Sequence, residues 1–346
     1  MEITMLETDN PQDTLIEFSG SLSAEEAQEL ARGAYKRIAA ALHVEESQAR
    51  ERARSMLTDL EFNVLVEETV KARAADRAIR ELGLSFVLEP SARSITPCKI
   101  GQPYRFEASV HPVPAMGLDL KTPIELPAEL QGLLAHAKQS CAQESPSPTA
   151  GNAAPAYDAP ESKMPAPAKK QSGPAESNDA RRTSAQTQPN PIAPAAPSET
   201  LGPMPKELQT SIKRALRARL TGTVSATLES AAFARENKAF LAALEEDGET
   251  YREYRIRTGK KPQEVEAELR RGAMRQLYDE VALEIVFREQ RLTITPEDEA
   301  AILHEMAPGR EDALREELDN AGKLWMLTQK ARRVKALSWA IGNLTK

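Results

Sequence analysis

The chain has 346 residues, enough for two or three domains, with 45 Lys/Arg against 52 Asp/Glu and a formal net charge of −7. That acidic balance argues against a nucleic-acid binder and suits a protein of the cytoplasm. Aromatic residues make up only 4 %, which favours helices over a β-sandwich, and no apolar run approaches the roughly 18 residues of a membrane span.

At the start, "EITML" and "TLIEF" flank the turn-prone "ETDNPQD" and predict a β-hairpin. Ser23 followed by Glu26 makes a capping box, after which Ala27, Leu30, Ala34, Ile38 and Ala41 recur at helical spacing. A second helical run passes through Phe62, Leu65, Val66, Ala72 and Ile79 to Leu82, with Gly83 as its left-handed cap. In "YRFEASVH", Tyr104, Phe106, Ala108 and Val110 alternate with polar residues, as a half-buried strand does. Residues 1–130 therefore read as an α+β domain, an antiparallel sheet with helices.

Between residues 131 and 204 the composition changes. This stretch holds 12 of the chain's 24 prolines and one aromatic, Tyr157. With so few large apolar groups it cannot offset its own ordering entropy, so it predicts a disordered Pro/Ala/Ser-rich linker between separate modules.

Residues 205–346 read as an all-α domain. Pro262 suits the first position of a long helix that places Val265, Leu269, Ala273, Leu277, Val281 and Ile285 four apart. Met274, Tyr278, Ala282, Val286 and Phe287 widen its apolar surface beyond one stripe. Thr295, Pro296 and Asp298 form the start of the next helix, and a run from Leu324 through Trp325, Leu327, Val334, Leu337 and Trp339 to Ile341 closes the chain.

Catalytic or metal-binding constellations are missing from the pattern. His43, His111, His136 and His304 are scattered, and Cys98 and Cys141 give neither a disulfide framework nor metal spacing. Cys98 is expected to pack, and Cys141 to sit exposed in the linker. No phosphate-binding glycine loop occurs, so neither a cofactor nor a metal is expected. The basic clusters "KRALRARL" (213–220) and "KARRVK" (330–335) read first as solvated faces of amphipathic helices, and second as phosphate contacts. The acidic start has no apolar core, so no signal peptide is expected.

The two ordered ends resemble bacterial trigger factor, the ribosome-associated folding chaperone. "LVEETVKARAADRAIRELGLSFVLEPSARSITPCKIGQPYRFEASVHPVPAMGLDL" is similar to that family's second helix, the strand after it and the exit from its first domain. "YREYRIRTGKKPQEVEAELRRGAMRQLYDEVALEIVFREQRLTITPEDEA" is similar to its helical body, which carries two arms forming a cradle for unfolded segments. The resemblance implies an ATP-independent chaperone for unfolded or nascent polypeptides. It also singles out Met274, Leu277, Tyr278, Val281 and Ile285 as candidate client contacts.

Two departures qualify what is carried over. The family's isomerase domain is replaced by the linker, so no enzyme activity is expected. The family's ribosome-docking loop "GFRxGKxP" is replaced by "HVEESQARERARS", which puts His43, Val44, Glu45, Glu46 and Arg50 at that place. Residues 1–135 hold 14 Lys/Arg against 22 Asp/Glu, a balance of −8 that ribosomal RNA would repel. Ribosome docking is therefore expected to be weak or absent, with neither direct nucleic-acid readout nor membrane contact. A reading from another class is an adaptor or assembly scaffold, whose tethered ends bind one folded partner.

Overall fold

The computed structural model describes residues 1–6, 15–99, 101–143 and 205–345. Strands β1 (Glu2–Met5) and β2 (Ile16–Leu22) pair antiparallel, as the hairpin reading predicts, with most of the connecting turn outside the described residues. Helices α1 (Ala24–Leu42), α2 (Glu46–Met56) and α3 (Asp59–Glu81) follow. The Ser23 box starts α1, and Thr58 with Glu61 starts α3 in the same way. Gly83 ends the α3 turn at φ +61°, the region glycine enters without strain. "SFVL" makes only a bridge between Phe86 and Pro112, and the next strands are β3 (Ser91–Ser94) and β4 (Tyr104–Val110).

The sheet order is β1-β2-β4-β3, antiparallel throughout. Tyr104, Phe106, Ala108 and Val110 point inward and meet Phe18, Leu22, Leu30, Ile38, Phe62 and Val66 in one core. The alternation read from "YRFEASVH" is this buried face.

The chain then enters the helical half earlier than the sequence suggests. Strand β5 (Gly117–Leu118) is followed by α4 (Ala128–Gln143), so residues 131–143 are helical where a linker is expected. Residues 144–204, including Tyr157, lie outside the described residues. Beyond them come α5 (Lys206–Arg217), β6 (Leu220–Thr221), α6 (Ala226–Glu246), α7 (Tyr251–Thr258) and α8 (Pro262–Glu289). The last three helices are α9 (Pro296–Met306), α10 (Glu311–Asn320) and α11 (Trp325–Leu344).

This half is not purely helical, because β6 pairs with β5. Ile124 and Leu134 are buried against α5, α8 and α11, and the Ile124 N–H donates to the Leu344 carbonyl at 2.5 Å. The expected boundary at residue 130 therefore moves back to the end of β4. The reason is physical: Ile124 and Leu134 have their apolar partners in the helical half.

Helix α8 explains its own surplus of apolar residues. One face, Ala282, Leu283, Val286 and Phe287, packs on α5 and α11. The other, Ala273, Leu277, Val281 and Ile285, packs on Leu228 and Ala232 of α6. A helix buried on two sides needs two stripes.

Candidate functional site

Between α8, α9, α11 and the segment Phe86–Glu89 lies an open cleft of about 2190 Å³. Leu283, Ile302 and Leu337 supply apolar lining, with Met306 and Met326 at 43 % and 39 % exposure. Lysines from α5 and α11, among them Lys213, Lys330 and Lys335, are interspersed with Asp279, Glu297 and Glu305.

One side of the cleft carries a buried ion network. Glu280 pairs with Arg235 of α6 at 3.1 Å and Arg333 of α11 at 3.4 Å, and accepts from Gln276 at 2.9 Å. One turn on, the Glu284 side chain has no exposure and pairs with Arg332 at 2.9 Å. Burial pushes the Glu284 carboxyl upward, against the pull of Arg332 and Arg333. The Arg332 guanidinium also lies 4.2 Å from the Phe287 ring centre. These carboxylates are flanked by arginines, an arrangement that joins three helices.

The client contacts expected from the resemblance fall elsewhere. Leu277, Val281 and Ile285 are fully buried against α6, and Met274 and Tyr278 pack half-buried on the same core. None of the five lines the cleft; Leu277, Val281 and Ile285 are core, while Met274 and Tyr278 keep part of their surface exposed. The cleft instead uses Phe86, Met306, Trp325 and Met326. Trp325 lies in the run that closes the chain, and Phe86 in the "SFVL" segment that follows Gly83.

The ribosome-loop positions form a three-residue turn, His43–Glu45, that runs directly into α2. His43 ends α1 in the left-handed region at φ 53°, and Val44 packs against the sheet core. Glu45 precedes α2, which contains Glu46 and Arg50. The basic clusters are taken up mostly in ion pairs rather than forming solvated faces: Arg217 pairs with Asp279 at 2.6 Å, Lys330 with Glu305 at 3.3 Å and Lys335 with Asp298 at 2.6 Å, while Arg332 and Arg333 belong to the buried network around Glu280 and Glu284.

Other chemistry-bearing residues are engaged or damped. His304 lies 2.6 Å from Glu311. Burial lowers the His111 pKa, and burial together with Glu67 raises the Cys98 thiol to about 11. The Cys141 side chain lies outside the described residues, within α4 rather than in a linker. Among the described residues no group of His, Cys, Asp or Glu could hold a metal, and no helix is long and apolar enough to cross a membrane.

No family model matches the chain, and neither does any curated protein. Among solved structures, it is similar to one described as "Promiscuous Substrate Recognition in Folding and Assembly Activities of the Trigger Factor Chaperone". The match covers 99 % of this chain and 100 % of that one, at 13 % identity and a TM-score of 0.35. At those values the likeness carries no weight of its own, and the functional reading rests on the cleft.

Proposed function

We propose that the chain is an ATP-independent holding chaperone of trigger-factor type, receiving unfolded or nascent polypeptide segments in the cleft. The size of the cleft carries this reading. Small-molecule pockets run to roughly 300–1,000 Å³, whereas this cleft is about 2190 Å³ and open. A chain segment suits it better than a cofactor does. The Met306 and Met326 thioethers adapt their shape to many side chains, and the interspersed charges keep contacts reversible. The reading requires no cofactor, no metal, no isomerase activity, no membrane and no ribosome.

The test is dilution of a chemically denatured model protein into the full-length chain without nucleotide. Suppressed light scattering is expected, and weaker suppression when Met306→Asp and Met326→Asp are combined. No suppression at several-fold excess rejects the proposal. Affinity capture from a lysate separates the adaptor reading: a holding chaperone returns a broad set of aggregation-prone chains, an adaptor one or two stoichiometric partners.

A further inference from the structure

The charges lining the cleft are not shared evenly between its walls. On the α9–α11 side the lysines are paired, Lys330 with Glu305 and Lys335 with Asp298. Toward α6, Arg235 and Arg333 both meet Glu280. The wall formed by α5 and α8 differs. Lys206 and Lys213 lie two helical turns apart on one face of α5, and Arg275 stands on α8. Among the described residues, none of these three lies within ion-pair distance of a carboxylate.

The carboxylate of this wall is Asp279, already paired with Arg217 at 2.6 Å. Burial raises the Asp279 pKa, and Arg217, Lys213 and Arg275 all pull against it, so three cations gather around one carboxylate. Glu207, the acid of α5, does not line the cleft, while Glu89 and Glu297 line it from the segment after α3 and from α9. Apolar side chains lie beside the positive wall. Leu283 is one turn beyond Asp279 on α8, and Leu292 and Trp339 pack with it and line the cleft.

The whole chain, at −7, would steer an acidic segment away. That long-range field is screened beyond about 8 Å at physiological ionic strength. Inside the cleft the nearest charges decide, and on this wall they are positive.

We propose that the cleft selects polypeptide segments in which apolar residues are flanked by aspartate or glutamate. The apolar side chains meet Leu283, Leu292 and Trp339, and the carboxylates meet Lys206, Lys213 and Arg275. This deepens the proposed function and rests on it. A nucleic acid suits the site less well, because its phosphates meet Asp279, Glu89 and Glu297 and it brings no aliphatic side chains to the apolar floor.

Fluorescence anisotropy of labelled peptides with the full-length chain tests the preference. Three peptides share one apolar core and carry acidic, serine or lysine flanks. The acidic-flanked peptide is expected to bind roughly tenfold tighter than the lysine-flanked one, as a few exposed ion pairs together provide, with the serine-flanked peptide between them. The gap should shrink as salt is raised. Lys213→Gln combined with Arg275→Gln should remove most of it. Asp279→Asn takes away the wall's carboxylate and should widen it, a change that mere loss of folding does not produce. Equal affinities for the three peptides, or tightest binding of the lysine-flanked one, overturn the preference and leave the reading of the cleft standing. An acidic peptide with serines in place of the apolar core, and a single-stranded oligonucleotide, should both bind much more weakly. Equal binding of either overturns the proposal in favour of a plain anion site. If none of the peptides binds, the reading of the cleft fails and the preference with it.

Discussion

Gly20 and Phe106 face each other across β2 and β4, and the Phe106 ring occupies the space that any side chain at position 20 would need. The strand tolerates a glycine there because the ring takes its place in the core. Gly20→Ala should therefore destabilise the sheet by about 1–3 kcal/mol, the usual cost of overpacking. Urea unfolding of the full chain measures it. A loss below a few tenths of a kcal/mol would mean that the ring swings aside freely.

Leu277 provides the second prediction. It is fully buried between α8 and α6. Leu277→Ala should cost roughly 2–5 kcal/mol through transfer and cavity terms. A variant that kept its stability but lost aggregation suppression would restore Leu277 as a client contact.

The hairpin, the Ser23 and Thr295 boxes, the Gly83 cap and the alternation in β4 were legible in the sequence because each is set by neighbours within a few residues. The identity of α8's partners was not. A double apolar stripe says only that two surfaces are covered, and the covering residues come from α5, α6 and α11, tens of residues away. The same limit hid the cleft, whose Phe86 and Trp325 meet at a sequence separation of 239, and the placement of Ile124, which only distant packing reveals.

Cys98 should be a slow nucleophile. With a thiol near 11, about one molecule in ten thousand carries the thiolate at pH 7. Iodoacetamide labelling followed by peptide mapping, which reports Cys98 and Cys141 separately, should show slow modification at Cys98 in the native chain and fast modification in urea. Equal rates in both would contradict the burial.

Glu311 gives a pH dependence of known sign. It accepts the Gly309 N–H and meets His304, which together lower its pKa from 4.5 to about 2. A depressed folded pKa contributes stability that is present above 4.5 and lost as pH falls toward 2. The stability gap between wild type and Glu311→Gln should therefore narrow between pH 5 and pH 2 in thermal unfolding. A gap that widened on acidification would reverse the assignment.

Ribosome binding is expected to be weak or absent at moderate salt. The turn at His43–Glu45 leads straight into α2, where positions 50 and 54 share one face and position 52 falls on the opposite one, so the three arginines do not gather on a loop. Cosedimentation across a salt titration measures this. Saturable, steeply salt-dependent binding that a triple Ala replacement abolished would make these arginines a phosphate site after all.

The Ile124–Leu344 contact has a consequence for synthesis. As the chain emerges, the sheet half can close once β4 is complete. Met116, Ile124 and Leu134 must then wait, apolar and unpartnered, until α5, α6, α8 and finally the last turn of α11 arrive. Contacts this distant in sequence close slowly and leave sticky surface exposed meanwhile. During its own translation, the protein presents the kind of exposed apolar segment that its cleft is proposed to shelter.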